Sequence, residues 1–179
     1  MRRSSRALCC ILFCALLLSG CGTGAELRQH SVALVAKSTQ TEFWLSVFAG
    51  AEAAATEYNV ALSIIGPDTE EDYETQNRMV ADAAAAGAEA IVFSAIDYEN
   101  NASAIDEAAR AGVKIVAIDS SVASDMVSTY IGTDNYAAGQ MAARAALERV
   151  EGPLTVGVVN YDISSANGQE REHGALAVL

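Results

Sequence analysis

The sequence offers almost no usable cysteine. It holds four, and Cys9, Cys10 and Cys14 fall within one apolar run near the N-terminus. Only Cys21 lies outside that run, so no disulfide framework and no thiolate metal site can be built. Histidine is as scarce. His30 and His173 are the two present, and neither has ligand spacing, which leaves both as surface residues. Ser-His and Cys-His catalysis therefore lack parts. The sequence also lacks G-x-x-x-x-G-K-[ST], G-x-G-x-x-G after a strand, H-E-x-x-H and C-x-x-C, and it lacks G-x-S-x-G. No cofactor, metal or catalytic residue is expected, and the protein is expected not to be an enzyme.

Positive charge is short as well. Eleven Lys and Arg face 23 Asp and Glu, for a formal net charge of −12. Arg2, Arg3 and Arg6 belong to the N-terminal segment; without these 3 of the 11, 8 basic residues remain against 23 acidic, or −15. Such a surface repels phosphate backbones, which excludes nucleic acid as a partner. It repels anionic lipid headgroups too, so any membrane attachment must come from acyl chains.

What is there begins with an address. The three arginines precede an apolar run from Ala7 to Leu18. That run is too short to span a bilayer comfortably and has the length of a signal-peptide core. Leu18-Ser19-Gly20-Cys21 follows and resembles the lipobox of bacterial lipoproteins. The resemblance implies cleavage before Cys21, a diacylglycerol on its sulfur and an extracytoplasmic, membrane-anchored protein. The alternative is an ordinary secretory signal with a chance cysteine.

Beyond a polar stretch a unit repeats. Apolar β-type runs start near Ser31, Val60, Glu89 and Val113. Their lack of clean polar alternation predicts strands buried on both faces. Between them, Glu42 to Tyr58, Glu71 to Ala86 and Asn101 to Ala111 carry apolar residues at helical spacing. Gly87 and Gly112 stand where left-handed caps end helices. A short strand is expected over Val127 to Ile131. A fourth helix is expected from Asn135 to Val150, capped by Asp134 or Asn135. The fold class is α/β: a doubly wound parallel sheet with right-handed crossovers. Gly152-Pro153 breaks the rhythm. A strand at Leu154 to Asn160 and a helix from Ala166 or Asn167 are expected after it. The expected division is 1–20 signal peptide, 21–30 tether, 31–151 N-terminal lobe and 152–179 the start of a second, incomplete lobe.

In open parallel sheets ligands bind outside the carboxyl ends of the strands. Those tips carry Lys37 to Trp44, Gly66 to Glu70, Ser94 to Asp97, Asp119 to Ser121, and Asn160 to Asp162. Carboxylates accept hydrogen bonds from hydroxyls, and aromatic faces cover the C–H face of a sugar ring. Lys37, Phe43, Trp44, Asp97, Asp119 and Ser120 are the candidates. Each has a second reading: Lys37 as a solvated surface residue, Phe43 and Trp44 as core at a helix start, Asp97 as a cap.

The order of these segments resembles the type I periplasmic sugar-binding proteins, the ribose- and galactose-binding group. The residues that carry the resemblance are KSTQTEFW with Gly50-Ala51-Glu52, GPDTEEDYETQ, EAIVFSAID, AGVKIVAIDS and GTDNYAAGQMAA. Arg171-Glu172-His173-Gly174 resembles the family's R-x-x-G. The resemblance implies a monomeric two-lobed clamp closing on a monosaccharide and docking on a permease driven by an ATPase. It implies that Phe43 and Trp44 form the ring pair, that Asp119 accepts sugar hydroxyls and that Arg171 donates from the second lobe. The chain departs from the ribose binders at Thr41 for asparagine, Glu42 for proline and Ser120 for arginine. Those departures leave the ligand open. The same scaffold also serves signalling furanones and sensory co-receptors, and an enzyme on the same sheet is the remaining alternative.

Overall fold

The computed structural model describes residues 28–179. Cys21, the signal segment and most of the tether lie outside the described residues. Five parallel strands form one sheet in the order β2-β1-β3-β4-β5. They are β1 His30–Val35, β2 Val60–Ile65, β3 Ala90–Phe93, β4 Lys114–Ile118 and β5 Thr129–Ile131. The helices are α1 Glu42–Glu57, α2 Tyr73–Ala85, α3 Ala102–Arg110, α4 Asn135–Leu147 and α5 Ala166–Leu176. Each boundary falls within a few residues of its sequence expectation, and the expected short strand shrinks to three residues.

Local chemistry explains the boundaries. Thr41 caps α1 by accepting from Trp44 N–H at 3.4 Å. Asp72 accepts from Thr75 N–H and Asp134 from Ala137 N–H, both at 2.9 Å. Such caps satisfy backbone donors that have no partner inside the helix. Gly87 and Gly112 close α2 and α3 with φ of +90° and +100°. Gly87 N–H reaches Ala84 C=O while Ala88 N–H reaches Ala83 C=O, and Gly112 and Val113 repeat the pattern on Ala109 and Ala108. These paired bonds need a left-handed residue, which glycine adopts without a Cβ penalty.

One face of the sheet packs on α2 and α3. Val35, Ile91, Phe93 and Ile115 meet Val80 and Ile105 there, all fully buried. The other face packs on α1, where Leu34 and Ala36 meet Trp44 and Phe48. Large apolar side chains buried this way each contribute about 1.5–3 kcal/mol. Burial on both faces holds for β1, where Ala33, Leu34 and Val35 are buried in succession. It does not hold at the edges: β2 alternates between half-buried and exposed positions, and β5 is exposed throughout. Edge strands have a neighbour on one side only.

Two features differ from the sequence reading. Leu154 to Asn160 forms no strand. A strand exists by pairing, and no described strand lies alongside this segment, so Val156 and Val159 face outward. Second, α4 packs principally on α5 rather than on the sheet. The two helices cross at close range. A Cβ on Gly139 would sit 2.1 Å from Arg171 O, and one on Gly174 would sit 2.1 Å from Tyr136 O. Only glycine permits that approach.

Candidate ligand cleft

Strand order reverses about β1, which lies between β2 and β3, and such a switch point opens a crevice at the carboxyl ends. The register aligns those ends, with Val35 opposite Ile65 and Phe93, and Phe93 opposite Ala117. Lys37, Ser94 and Asp119 therefore emerge side by side. Gln76 of α2 ties this rim together from below. Its buried carboxamide donates to Ala36 C=O and Ser94 C=O at 2.9 Å and accepts from Ile96 N–H at 3.1 Å. Three backbone groups at the ends of β1 and β3 are thus held by one side chain.

A cleft of about 390 Å³ opens above the rim. Lys37, Phe43, Trp44, Asp119 and Arg171 of the candidate set line it, together with Thr41, Glu70, Tyr161 and Asn167. Residues 37–119 form one wall; Tyr161, Asn167 and Arg171 form the other.

Asp119 sits just past β4 with φ of +58°, a conformation uncommon outside glycine. Its backbone is pinned on both sides, the N–H donating to Ile131 C=O at 3.0 Å and the carbonyl accepting from Tyr130 Oη at 2.7 Å. Ser94 Oγ donates to its Oδ2 at 3.2 Å. The other carboxylate oxygen has no protein donor among the described residues. Backbone strain of this kind persists only where the surroundings impose it, and it clusters at binding sites.

Lys37 is 2% exposed and lines the cleft. Burial pushes its ammonium below the ordinary lysine range, against the pull of Asp119, Glu70 and Asp162. No described carboxylate lies within ion-pair distance of it. A buried ammonium with free donors costs stability unless something accepts from it. Because its folded pKa is depressed, the unfolded chain binds this proton more readily, and the cost is relieved as pH rises toward the ordinary value of 10.5. Lys37→Met is accordingly expected to melt above the wild type at neutral pH, with the gap closing as pH approaches 10.5. Melting curves across that range check it, and a gap that does not change with pH contradicts it.

The two rings of the pair part company. Phe43 is 56% exposed, whereas Trp44 is 1% exposed and stacks on Phe48 with centroids 6.2 Å apart. Phe43 meets Trp44 edge to face at 5.1 Å. Trp44 is core, and its Nε1–H donates to Glu70 Oε1 at 2.9 Å. Arg171, on α5, donates through Nε to buried Asn135 Oδ1 at 2.9 Å. That bond leaves its terminal nitrogens for other acceptors.

Two candidates are not brought to the cleft. Asp97 Oδ1 accepts from Glu99 and Asn100 N–H, and Oδ2 from Asn100 Nδ2, so its carboxylate serves its own turn. Ser120 is fully buried, and its Oγ has no partner among the described residues. Sequence reasoning named the tips that carry Glu70 and Tyr161 without singling out either residue, and it missed Asn167. Glu70 and Tyr161 had a signal, since each follows an apolar β-type run. Nothing local marked them over their neighbours.

Residues 32–179 match the family model described as periplasmic binding protein domain. The chain belongs to this family. The D-ribose/D-allose-binding protein of Pseudomonas aeruginosa is 24% identical, with 91% of this chain and 56% of that one covered. A carbohydrate transporter solute-binding protein of Agrobacterium radiobacter, solved in complex with D-arabinose, superposes with a TM-score of 0.77. It is 27% identical, over 85% of this chain and 53% of its own. A sugar transporter of Clostridium phytofermentans reaches a TM-score of 0.79 at 29% identity, over 84% of this chain and 56% of its own. The chain spans about half the length of these relatives. The type I fold read from the sequence is the fold observed.

Proposed function

We propose that the protein captures a monosaccharide outside the cytoplasm and hands it to a membrane permease driven by an ATPase. The observation that carries this reading is the cleft. A rigid carboxylate on one wall, Asp119, faces a guanidinium on the other, Arg171, with the buried Lys37 and the open ring of Phe43 in the same space. Sugars present hydroxyls that both donate and accept, and an apolar C–H face. Acceptor, donors and ring together match that chemistry, and the sugar-binding relatives point the same way.

The packing supports a lobe boundary earlier than 151. In this reading, residues through Ile131 form the first lobe, and α4 and α5 belong to the second, since they pack on each other. Ligand then lies between the lobes, with Asp119 and Lys37 on one and Arg171 on the other. Cys21 carries a lipid anchor in this account, because the −15 surface cannot hold anionic membrane by charge. A Cys21→Ala protein that stayed in the membrane after a high-salt wash would remove the anchor.

The function is tested by calorimetry against D-ribose, D-allose and D-arabinose, with an unrelated disaccharide as control. Saturable binding of at least one monosaccharide is expected. Failure of all three, with the protein folded, overturns the reading for these sugars.

A further inference from the structure

The sequence holds two lysines, Lys37 and Lys114, and the fold places them at opposite ends of the sheet. Lys114 opens β4 and is exposed. Lys37 stands just past β1, at the carboxyl ends of the parallel strands, and is 2% exposed. Its Nζ has no ion-pair partner among the described residues. Nor is it sealed off. Ser120 Oγ alone among the described side-chain polar atoms is both fully enclosed and without a hydrogen-bond partner. The Lys37 amine is therefore open to the cleft that the residue lines.

The charged groups about it come from several elements. Asp119 and Glu70 line the cleft with it, as does Arg171 of α5, and Asp162 acts on it from the loop before α5. Burial outweighs the pull of the carboxylates and holds the ammonium below the ordinary lysine range. A lysine so placed is the neutral amine more often than a solvated one. Neutral amines attack carbonyls, which is how desolvated lysines form Schiff bases.

We propose that Lys37 is a modification site directed by the cleft, where its amine adds to the aldehyde of a reducing aldose or of a smaller hydroxyaldehyde. The inference rests on the sugar reading for its natural reactant and deepens it by naming a covalent fate for that reactant. The amine lone pair forms a C–N bond to the aldehyde carbon, and a proton passes from nitrogen to oxygen to give a carbinolamine. Loss of one water leaves an imine. The hydrogen on C2 of the sugar then shifts to C1 and the C2 hydroxyl proton to nitrogen, which gives a stable ketoamine. No oxidant or reductant is needed. Asp119 and Glu70 supply carboxylates in the same space for these proton transfers. Only the minor open-chain form of an aldose carries the aldehyde, so the modification is slow beside reversible binding.

The test uses the full chain with glycolaldehyde and sodium cyanoborohydride, which reduces the imine to a secondary amine. Mass spectrometry then compares the peptides that carry each lysine. Glycolaldehyde needs no sugar recognition, so the result does not depend on which sugar the protein captures. Lys37 is expected to label several-fold faster than Lys114, the reverse of what exposure alone would give. In urea the two rates are expected to converge. D-ribose is expected to repeat the preference, and D-ribitol, which has no carbonyl, to leave no adduct. Labelling of Lys37 no faster than Lys114 in the folded protein overturns the proposal, and so does a preference that survives in urea. A protein that binds D-ribose and yet shows no preference for Lys37 with that sugar overturns the assignment to aldoses. Failure of the three sugars in calorimetry would sink the sugar reading and leave the glycolaldehyde comparison standing.

Discussion

Asp119→Asn is expected to weaken monosaccharide binding about tenfold or more while leaving the fold intact. The substitution isolates charge. Asparagine tolerates the left-handed region better than most side chains, so the φ of +58° is kept. Its Oδ1 still accepts from Ser94 Oγ, and the backbone bonds to Ile131 and Tyr130 involve no side-chain atom of residue 119. What goes is the carboxylate character that the proposed site uses to accept from ligand hydroxyls. Hydrogen bonds to charged groups contribute about 1.5–3 kcal/mol, against about 0.5–1.5 for neutral ones. A loss of about 1.4 kcal/mol is one decade in affinity. Asp119→Ala is the instructive contrast, because it adds left-handed strain of about 1–2 kcal/mol and so lowers stability as well. Calorimetry with the best of the three sugars, beside thermal melts, separates the two. Unchanged affinity in a folded Asp119→Asn protein would remove the central residue of the site.

Trp44→Ala is expected to cost about 3–5 kcal/mol of stability, the usual range for emptying a buried large aromatic site. Trp44 is 1% exposed and packs with Phe48 over Leu34 and Ala36, on the face of the sheet that α1 alone covers. With no other described helix on that face, little is available to refill the space. The same change removes the donor to Glu70 Oε1. Trp44→Phe divides the effects, since it keeps most of the apolar contact and loses the N–H. Urea unfolding measures both. A loss below about 1 kcal/mol in Trp44→Ala would show that the ring is held as a cleft platform rather than as core. Binding measured in Trp44→Phe would then tell how much of the site depends on Glu70.

The elements were legible in the sequence because their signals are local. A strand needs a run of apolar residues, and β1 to β4 each carry one. A helix needs apolar spacing, a capping side chain and a stop. Thr41, Asp72, Asp134, Gly87 and Gly112 supply starts and stops within a few residues of the groups they satisfy. The strand-helix alternation then implies a parallel sheet, and a parallel sheet places ligands at its carboxyl ends. Lys37 and Asp119 follow from that argument alone, since both stand directly past strand ends. Arg171 came from resemblance, not from any local pattern.

Tertiary structure decided everything that depends on residues far apart in the chain. The sequence could not say that β1 lies between β2 and β3, because pairing is chosen among runs of nearly equal character. It left Phe43 and Trp44 as equivalent rings; α1 turns one into solvent and the other into the core. Asp97 and Asp119 are both aspartates after strands. One spends its oxygens on its own turn, and the other keeps one free because its neighbours hold it by the backbone instead. The apolar run Leu154 to Asn160 has the composition of a strand and stays unpaired, because a strand also needs a partner at hydrogen-bonding distance. Glu70 and Tyr161 lie 91 residues apart and meet only because the loop after β2 and the loop before α5 arrive at the same mouth. Composition and spacing determine which pieces a chain makes. Which side chains those pieces bring within reach of one another is settled by packing, which no short window of sequence contains.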